Sequence, residues 1–70
     1  HNAYSVFENK ENGKKCVVVC NYDVQNTVEV KVQMDGGVAP NSYRLVDDGN
    51  WKDAGTVVIP PQSAAVVMCS

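Results

Sequence analysis

A hydrophobic period of two limits this chain to β-structure more strongly than any other feature. The segment TVEVKVQM (27–34) is apolar at 28, 30, 32 and 34 and polar at 29, 31 and 33. Successive side chains of a strand point to opposite faces, so this alternation predicts a half-buried strand with one wet face. No segment has a convincing 3.6-residue period, and we therefore expect an all-β chain.

A second segment, CVVVC (16–20), is apolar at every position. It is too short for a typical helix, and valine disfavours helices. A continuous apolar run of this length is typical of a central strand covered on both faces. We expect this strand to lie in the middle of the fold.

Further strands are predicted at 3–8, 42–47, 55–60 and 63–69, with turn-forming segments between the runs at 23–26, 35–41, 47–54 and 60–62. DDGN and the Pro-Pro pair are the clearest of these turn signals. Short strands at this spacing predict a small antiparallel β-sandwich of about six to seven strands, Greek-key-like in its connections. Residues 1–70 then form a single β-sandwich domain.

The length of 70 residues makes such a domain only marginally stable by itself. A chain of this size buries about 60% of the surface that its unfolded form exposes. The balance of burial against conformational entropy then lies near zero, so a disulfide, a metal or a neighbouring domain is expected to help. Because the chain begins at His1 and not at a methionine, we expect it to be the C-terminal fragment of a larger protein.

The charge pattern argues against two classes of partner. The net charge is −2, 20% of the residues are charged, and no basic stripe with aromatic platforms occurs, so nucleic acid binding is not expected. No apolar run approaches the roughly 20 residues that span a bilayer, so no membrane association is expected. Three cysteines cannot form a fully paired disulfide framework, which leaves the cellular compartment open.

Cys16 and Cys20 are interpreted as core thiols. Positions four apart on a strand share a face but lie about 13 Å apart, whereas a disulfide requires α-carbons within roughly 7 Å. A valine run stands between them where a metal site would have a turn, and His1 is the only histidine, so neither a metal nor another cofactor is predicted. Whether Cys69 pairs with Cys16 or Cys20 stays open at this point.

No residue is predicted to be catalytic. Asp47, Asp48 and Asp53 fall in the loop DDGNWKD, where aspartates before glycine are mostly turn formers that bond the local backbone. Weak calcium binding by this loop is an alternative, although the ordered ligand spacing of a dedicated calcium loop is missing. The serines have no histidine partner apart from His1. The chain itself is therefore expected not to be an enzyme; the opposing hypothesis would assign hydrolysis to these three aspartates.

The aromatic residues are the best candidates for contact with a ligand or a partner. Trp51 lies in a polar loop, and Tyr22 and Tyr43 lie on or beside predicted strands. An exposed aromatic ring on a β-sandwich offers its π face to the apolar C–H face of a sugar. Trp51, Tyr22 and Tyr43 are thus candidate sugar or domain contacts. The competing interpretation is that Trp51 folds back to cap the sandwich or packs on a neighbouring domain.

Three segments resemble the small all-β domain that ends many glycoside hydrolases after a catalytic (β/α) barrel. NGKKCVVVCNYD (12–23) resembles the turn, valine-rich strand and following Asn, here Asn21. NTVEVKVQM (26–34) resembles the next strand. YRLVDDGNWKDAGTVVIPPQSAAVVM (43–68) resembles the finish, with a Ser-Ala pair opening the final apolar strand; the two cysteines depart from the usual valine or isoleucine.

The resemblance implies a non-catalytic C-terminal accessory domain of a carbohydrate-active enzyme. Its partner would be the upstream catalytic domain of the same protein, which it stabilises or docks on, and contact with carbohydrate is an optional addition. Catalytic carboxylates of such enzymes belong to the barrel, so no catalytic role passes to a residue of this chain. Two alternatives stay open: an autonomous carbohydrate-binding module that uses Trp51 and tyrosines, and an immunoglobulin-like adhesion or spacer domain.

Overall fold

The computed structural model describes residues 2–70, with side chains from Ala3 onward, and these residues form two antiparallel sheets without a helix. The strands are β1 (Asn2–Glu8), β2 (Lys15–Asn21), β3 (Val28–Val30), β4 (Pro40–Leu45), β5 (Lys52–Asp53), β6 (Val57–Ile59) and β7 (Ser63–Cys69). The larger sheet has the order β1-β2-β7-β4-β5, and the smaller one pairs β3 with β6. This architecture confirms the predicted all-β, antiparallel class.

The connections between the sheets have Greek-key character. β4 and β5 form a hairpin, β6 crosses to the small sheet, and β7 returns to lie beside β4. Such a return of the fourth strand to the side of the first is the defining feature of a Greek key. β7 also pairs with β2 over its whole length, so the last strand of the chain joins the two halves of the large sheet.

The core lies between the two sheets and consists mainly of small aliphatic side chains. Alternate residues of β2 and β7 face inward, and β6 contributes Val57 and Ile59 from the opposite layer. The fully buried members are Val17, Val19, Tyr43, Ala54, Val57, Ile59, Ala65, Val67 and Cys69. β-Branched residues fit this pleated, half-covered surface, which explains the dominance of valine in the sequence.

Asn21 is the one buried polar side chain among residues 3–70, and it holds two connections together. Its amide nitrogen donates to the carbonyl oxygens of Asn26 at 2.9 Å and of Ile59 and Pro60 at 3.1 Å. Its amide oxygen accepts the backbone N–H of Asp23 at 3.0 Å. Asn21, the last residue of β2, therefore ties the turn leaving β2 to the end of β6.

Three details differ from the sequence-based expectation. The predicted strand at 27–34 is a ladder only over Val28–Val30, because β6 offers just three residues to pair with it. A two-residue strand, β5, lies inside the predicted loop 47–54. Most importantly, β2 is an interior strand, flanked by β1 and β7, but is covered on one face only: Val17 and Val19 are buried, whereas Cys16, Val18 and Cys20 are half-exposed.

Candidate functional site

The face of the large sheet that points away from the small sheet carries a continuous apolar surface. Directly opposed residues of paired strands project to the same side, so the observed register determines its members. We call this surface the outer face. It comprises Ala3, Ser5 and Phe7 of β1, Cys16, Val18 and Cys20 of β2, Ala64, Val66 and Met68 of β7, and Ser42 and Arg44 of β4.

The centre of the outer face is apolar and its margin on the β4 side is polar. Phe7 is 57% exposed and Met68 is 37% exposed, and they lie on either side of Cys16. Arg44 borders Val66 at the opposite margin. An apolar centre with a polar rim is the usual arrangement of a surface that another protein or domain covers.

Trp51 lies at this polar margin in contact with the side chain of Arg44. Its ring is 50% exposed, and the Arg44 guanidinium carbon lies 5.7 Å from the ring centroid. Arg44 also donates to the carbonyl oxygen of Asp48 at 3.5 Å, and the Asp48 carboxylate pairs with the Lys52 ammonium at 3.7 Å. Cation–π contact of this kind orients an aromatic ring, so Trp51 presents a fixed surface next to the outer face.

The two tyrosines predicted as contacts occupy different environments. Tyr22 is 61% exposed at the end of β2, and its interaction with the Cys20 thiol raises its pKa above the ordinary value of a phenol. Three strand spacings, roughly 14 Å, separate β2 from the strand that follows Trp51, so Tyr22 and Trp51 do not form one platform.

Tyr43, in contrast, belongs to the core. It is 4% exposed, and its hydroxyl oxygen accepts the backbone N–H of Val58 from the small sheet at 3.4 Å. No ring face is left for a sugar, so Tyr43 is corrected from a candidate contact to a residue that links the two sheets.

The cysteines occupy opposite faces of the large sheet. β2 and β7 do pair, but Cys69 faces the core beside Lys15, whereas Cys16 and Cys20 belong to the outer face. All three are free thiols, since this arrangement keeps Cys69 from reaching either of the others. Burial raises the pKa of the Cys69 thiol, and the neighbouring Cys16 adds to the effect.

The acidic loop is engaged in local structure. Asp48 accepts the backbone N–H of Asn50 at 3.0 Å besides pairing with Lys52, and Asp53 accepts the N–H of Gly55 at 2.9 Å. These are the bonds expected of turn-forming aspartates. Within residues 2–70, no three histidine, cysteine or acidic side chains come together as a metal site would require.

Residues 2–70 also contain no helix that is long and apolar enough to cross a membrane. Sequence reasoning missed the outer face, although its signal is present: CVVVC and SAAVVMC are apolar at nearly every position, while the small sheet covers only their inward residues.

Comparisons with protein-family models, curated proteins and solved structures gave no match to this chain.

Proposed function

We propose that this chain is a non-catalytic accessory domain of a carbohydrate-active enzyme and that it docks on the catalytic domain through its outer face. The observation that carries the proposal is the uncovered apolar centre around Cys16, Val18, Val66 and Met68. Exposing such a surface to water is unfavourable by about 25 cal/mol per Å². A covering domain removes this cost and supplies the stability that a 70-residue core lacks.

The size of the outer face fits a contact between domains. Four strands about 4.8 Å apart and seven residues long give a projected area of roughly 400 Å². Interfaces between domains of one chain bury about 600–1,500 Å² counted over both sides. Each side contributes about half of this, and the area of the outer face lies within the resulting range. The identification of the partner as a glycoside hydrolase rests on the resemblance of residues 12–23, 26–34 and 43–68.

The docking part is tested with two lysine substitutions matched in exposure. Met68 on the outer face is 37% exposed, and Val58 on the far side of the small sheet is 39% exposed. In the polypeptide that carries this domain with its neighbour, Met68→Lys is expected to lower the melting temperature and Val58→Lys to leave it unchanged. In the isolated chain both should melt close to the unsubstituted domain. Equal effects of the two substitutions in the longer polypeptide would contradict docking through the outer face.

The carbohydrate part has a separate test. The polypeptide with its neighbouring domain should hydrolyse glycosides, and substitution of Asp47, Asp48 and Asp53 together by alanine should leave the rate per folded molecule unchanged. A neighbouring domain without glycosidase activity would contradict the enzyme assignment while leaving the docking result standing. Loss of hydrolysis in a folded triple variant would assign the chemistry to this chain.

A second function, direct binding of sugar, is favoured by the orientation of Trp51. Its half-exposed ring is fixed by Arg44 at the rim of the outer face, and a fixed ring loses little entropy on stacking against a sugar. Retention of the isolated chain in polysaccharide gels should be lost in Trp51→Ala. Tyr4→Ala, which removes a 73% exposed ring from β1, is the matched control. Equal mobility of all three proteins with and without polysaccharide would rule out this function.

A further inference from the structure

The two layers of the sandwich are unequal, and the missing part of the small sheet leaves a groove. The groove has a volume of about 530 Å³ and lies between β1–β2 on one side and the segment 30–35 on the other. Tyr4 and Val6 lie opposite the buried Val19 and Val17 in the ladder, and so point to the core side of the sheet. They are nevertheless 73% and 48% exposed, because no strand lies over them.

The segment that borders the groove has the form of a strand without a partner. Val32 and Met34 pack against the core and Lys31 and Gln33 are exposed, so the alternation of β3 continues to residue 34. The ladder with β6 ends at the Val30–Val57 pair. The burial pattern of a strand therefore continues over 31–34, beyond the only ladder that β3 forms among residues 2–70. Unpaired strand edges of this kind are templates for a further strand.

Three charged residues line the groove, Lys15, Lys31 and Asp35, and none of them forms an ion pair with the residues whose side chains the structure describes. Lys15, the first residue of β2, is half-buried where it lines the groove. The ion pair found in residues 2–70 joins Lys52 to Asp48, so Lys15 has no carboxylate within 4.0 Å there, although Glu8 is opposite it in the ladder. The groove is thus mainly apolar, and its two lysines against one aspartate give the lining a net positive charge.

We propose that this groove binds an extended polypeptide strand supplied from outside residues 1–70, which adds to the open edge of β3. Its alternate apolar side chains cover Tyr4 and Val6, and an acidic side chain pairs with Lys15. An extended backbone is the ligand that satisfies a row of free strand amides and carbonyls, and side-chain pockets at alternate positions provide selectivity. This site is independent of the outer face, which lies on the other side of the large sheet.

The test uses the full 70-residue chain labelled with ¹⁵N and a synthetic eight-residue peptide that alternates valine and threonine and carries one glutamate near its end. Saturable shifts are expected at residues 3–6, 15 and 28–35, with at least tenfold slower amide exchange at alternate positions of 30–34. A peptide with proline at its centre cannot continue the ladder and should not bind. Replacing its glutamate by lysine should weaken binding at least threefold.

Two variants place the binding on the groove. Val6→Lys, at an exposed edge-strand position, should weaken peptide binding at least tenfold, and Tyr4→Lys provides a second variant should Val6→Lys melt early. Met68→Lys, on the outer face, should bind the peptide as the unsubstituted chain does. Absence of saturable shifts at millimolar peptide, or shifts confined to the outer face, would overturn the proposal. Concentration-dependent dimers that show the same shifts without peptide would replace it with pairing between two copies.

Discussion

The substitution Asn21→Asp tests the polar contact on which the fold most depends. It changes one amide NH2 group to oxygen and leaves size and shape almost unchanged. The lost group donates to three carbonyl oxygens, those of Asn26, Ile59 and Pro60, at 2.9–3.1 Å. In the variant these oxygens face a carboxylate in a position that is 1% exposed.

The expected destabilisation follows from counting the groups left without partners. Two N–H donors disappear, each worth about 1 kcal/mol net, and the carbonyl oxygens and the new charge remain buried at a further cost of about 1–3 kcal/mol. We therefore expect a loss of about 4 kcal/mol. Globular proteins are stable by about 0.05–0.15 kcal/mol per residue, so a 70-residue domain has roughly 4–10 kcal/mol to lose.

The pH dependence of the stability of Asn21→Asp provides a second test of the same contact. Burial among carbonyl oxygens raises the folded-state pKa of the introduced carboxyl above its unfolded value of about 3.9. Below pH 4 the carboxyl is protonated in both states and its O–H replaces one lost donor. As the pH rises through 4 the unfolded state ionises first, so the variant loses stability relative to the unsubstituted chain. The difference between the two proteins should therefore be larger at pH 7 than at pH 4.

The assay is urea unfolding followed by circular dichroism, with Asn12→Asp as the matched control. Asn12 is exposed and uses only its amide oxygen, which accepts the backbone N–H of Lys14, and aspartate retains that acceptor. The control should change the unfolding free energy by less than 0.5 kcal/mol, the usual limit for surface substitutions. A loss below about 1 kcal/mol in Asn21→Asp, or a loss independent of pH, would refute the donor role of the Asn21 amide.

Three further outcomes are expected from local geometry. Gln62 has φ = 54°, a left-handed conformation that costs a non-glycine residue about 1 kcal/mol, so Gln62→Gly should raise the unfolding free energy by about that amount; a decrease would contradict it. Backbone N–H groups lower the pKa of Asp23, so its stabilising contribution is present above the unfolded-state pKa and lost as the pH falls through the folded-state pKa. In acid, the unfolding free energy of Asp23→Asn should therefore fall less steeply with decreasing pH than that of the unsubstituted chain. Iodoacetamide should alkylate Cys16 and Cys20 well before the buried Cys69, as mass spectrometry of timed samples would show, and equal rates would place Cys69 at the surface.

Strands with a buried face were predictable from sequence, because their apolar residues mark the positions that face the core. A continuous apolar run gives the same kind of signal: SAAVVMC predicts a strand at 63–69, and β7 is Ser63–Cys69. The segment 27–34 has the predicted burial pattern in full, yet only Val28–Val30 form a ladder. Alternation predicts which residues face inward, but the length of a ladder depends on a partner, and β6 is three residues long.

β5 and the contacts of Trp51 could not be predicted, because neither has a periodic signal. Lys52 and Asp53 join the sheet by pairing with β4, although the sequence predicts a polar turn-forming segment at 47–54. The proximity of Trp51 to Arg44 follows from the register of that hairpin, since Tyr43 opposite Lys52 brings the preceding and following residues together. Asn21 was noted only as part of a resemblance; its burial depends on carbonyls 38 and 39 residues away.

The prediction that β2 is covered on both faces was wrong, and this error bears on function. A run that is apolar at every position predicts cover on both faces, since selection for solubility alone would place polar residues on a wet face. The small sheet supplies one cover, over Val17 and Val19, and residues 2–70 supply none over Cys16, Val18 and Cys20. The same apolar pattern continues across the ladder into Val66 and Met68 of β7. Two neighbouring strands thus have apolar residues on the same face that residues 2–70 leave uncovered, which favours a second layer supplied from outside these residues. The difference in melting temperature between Met68→Lys and Val58→Lys tests for that layer directly.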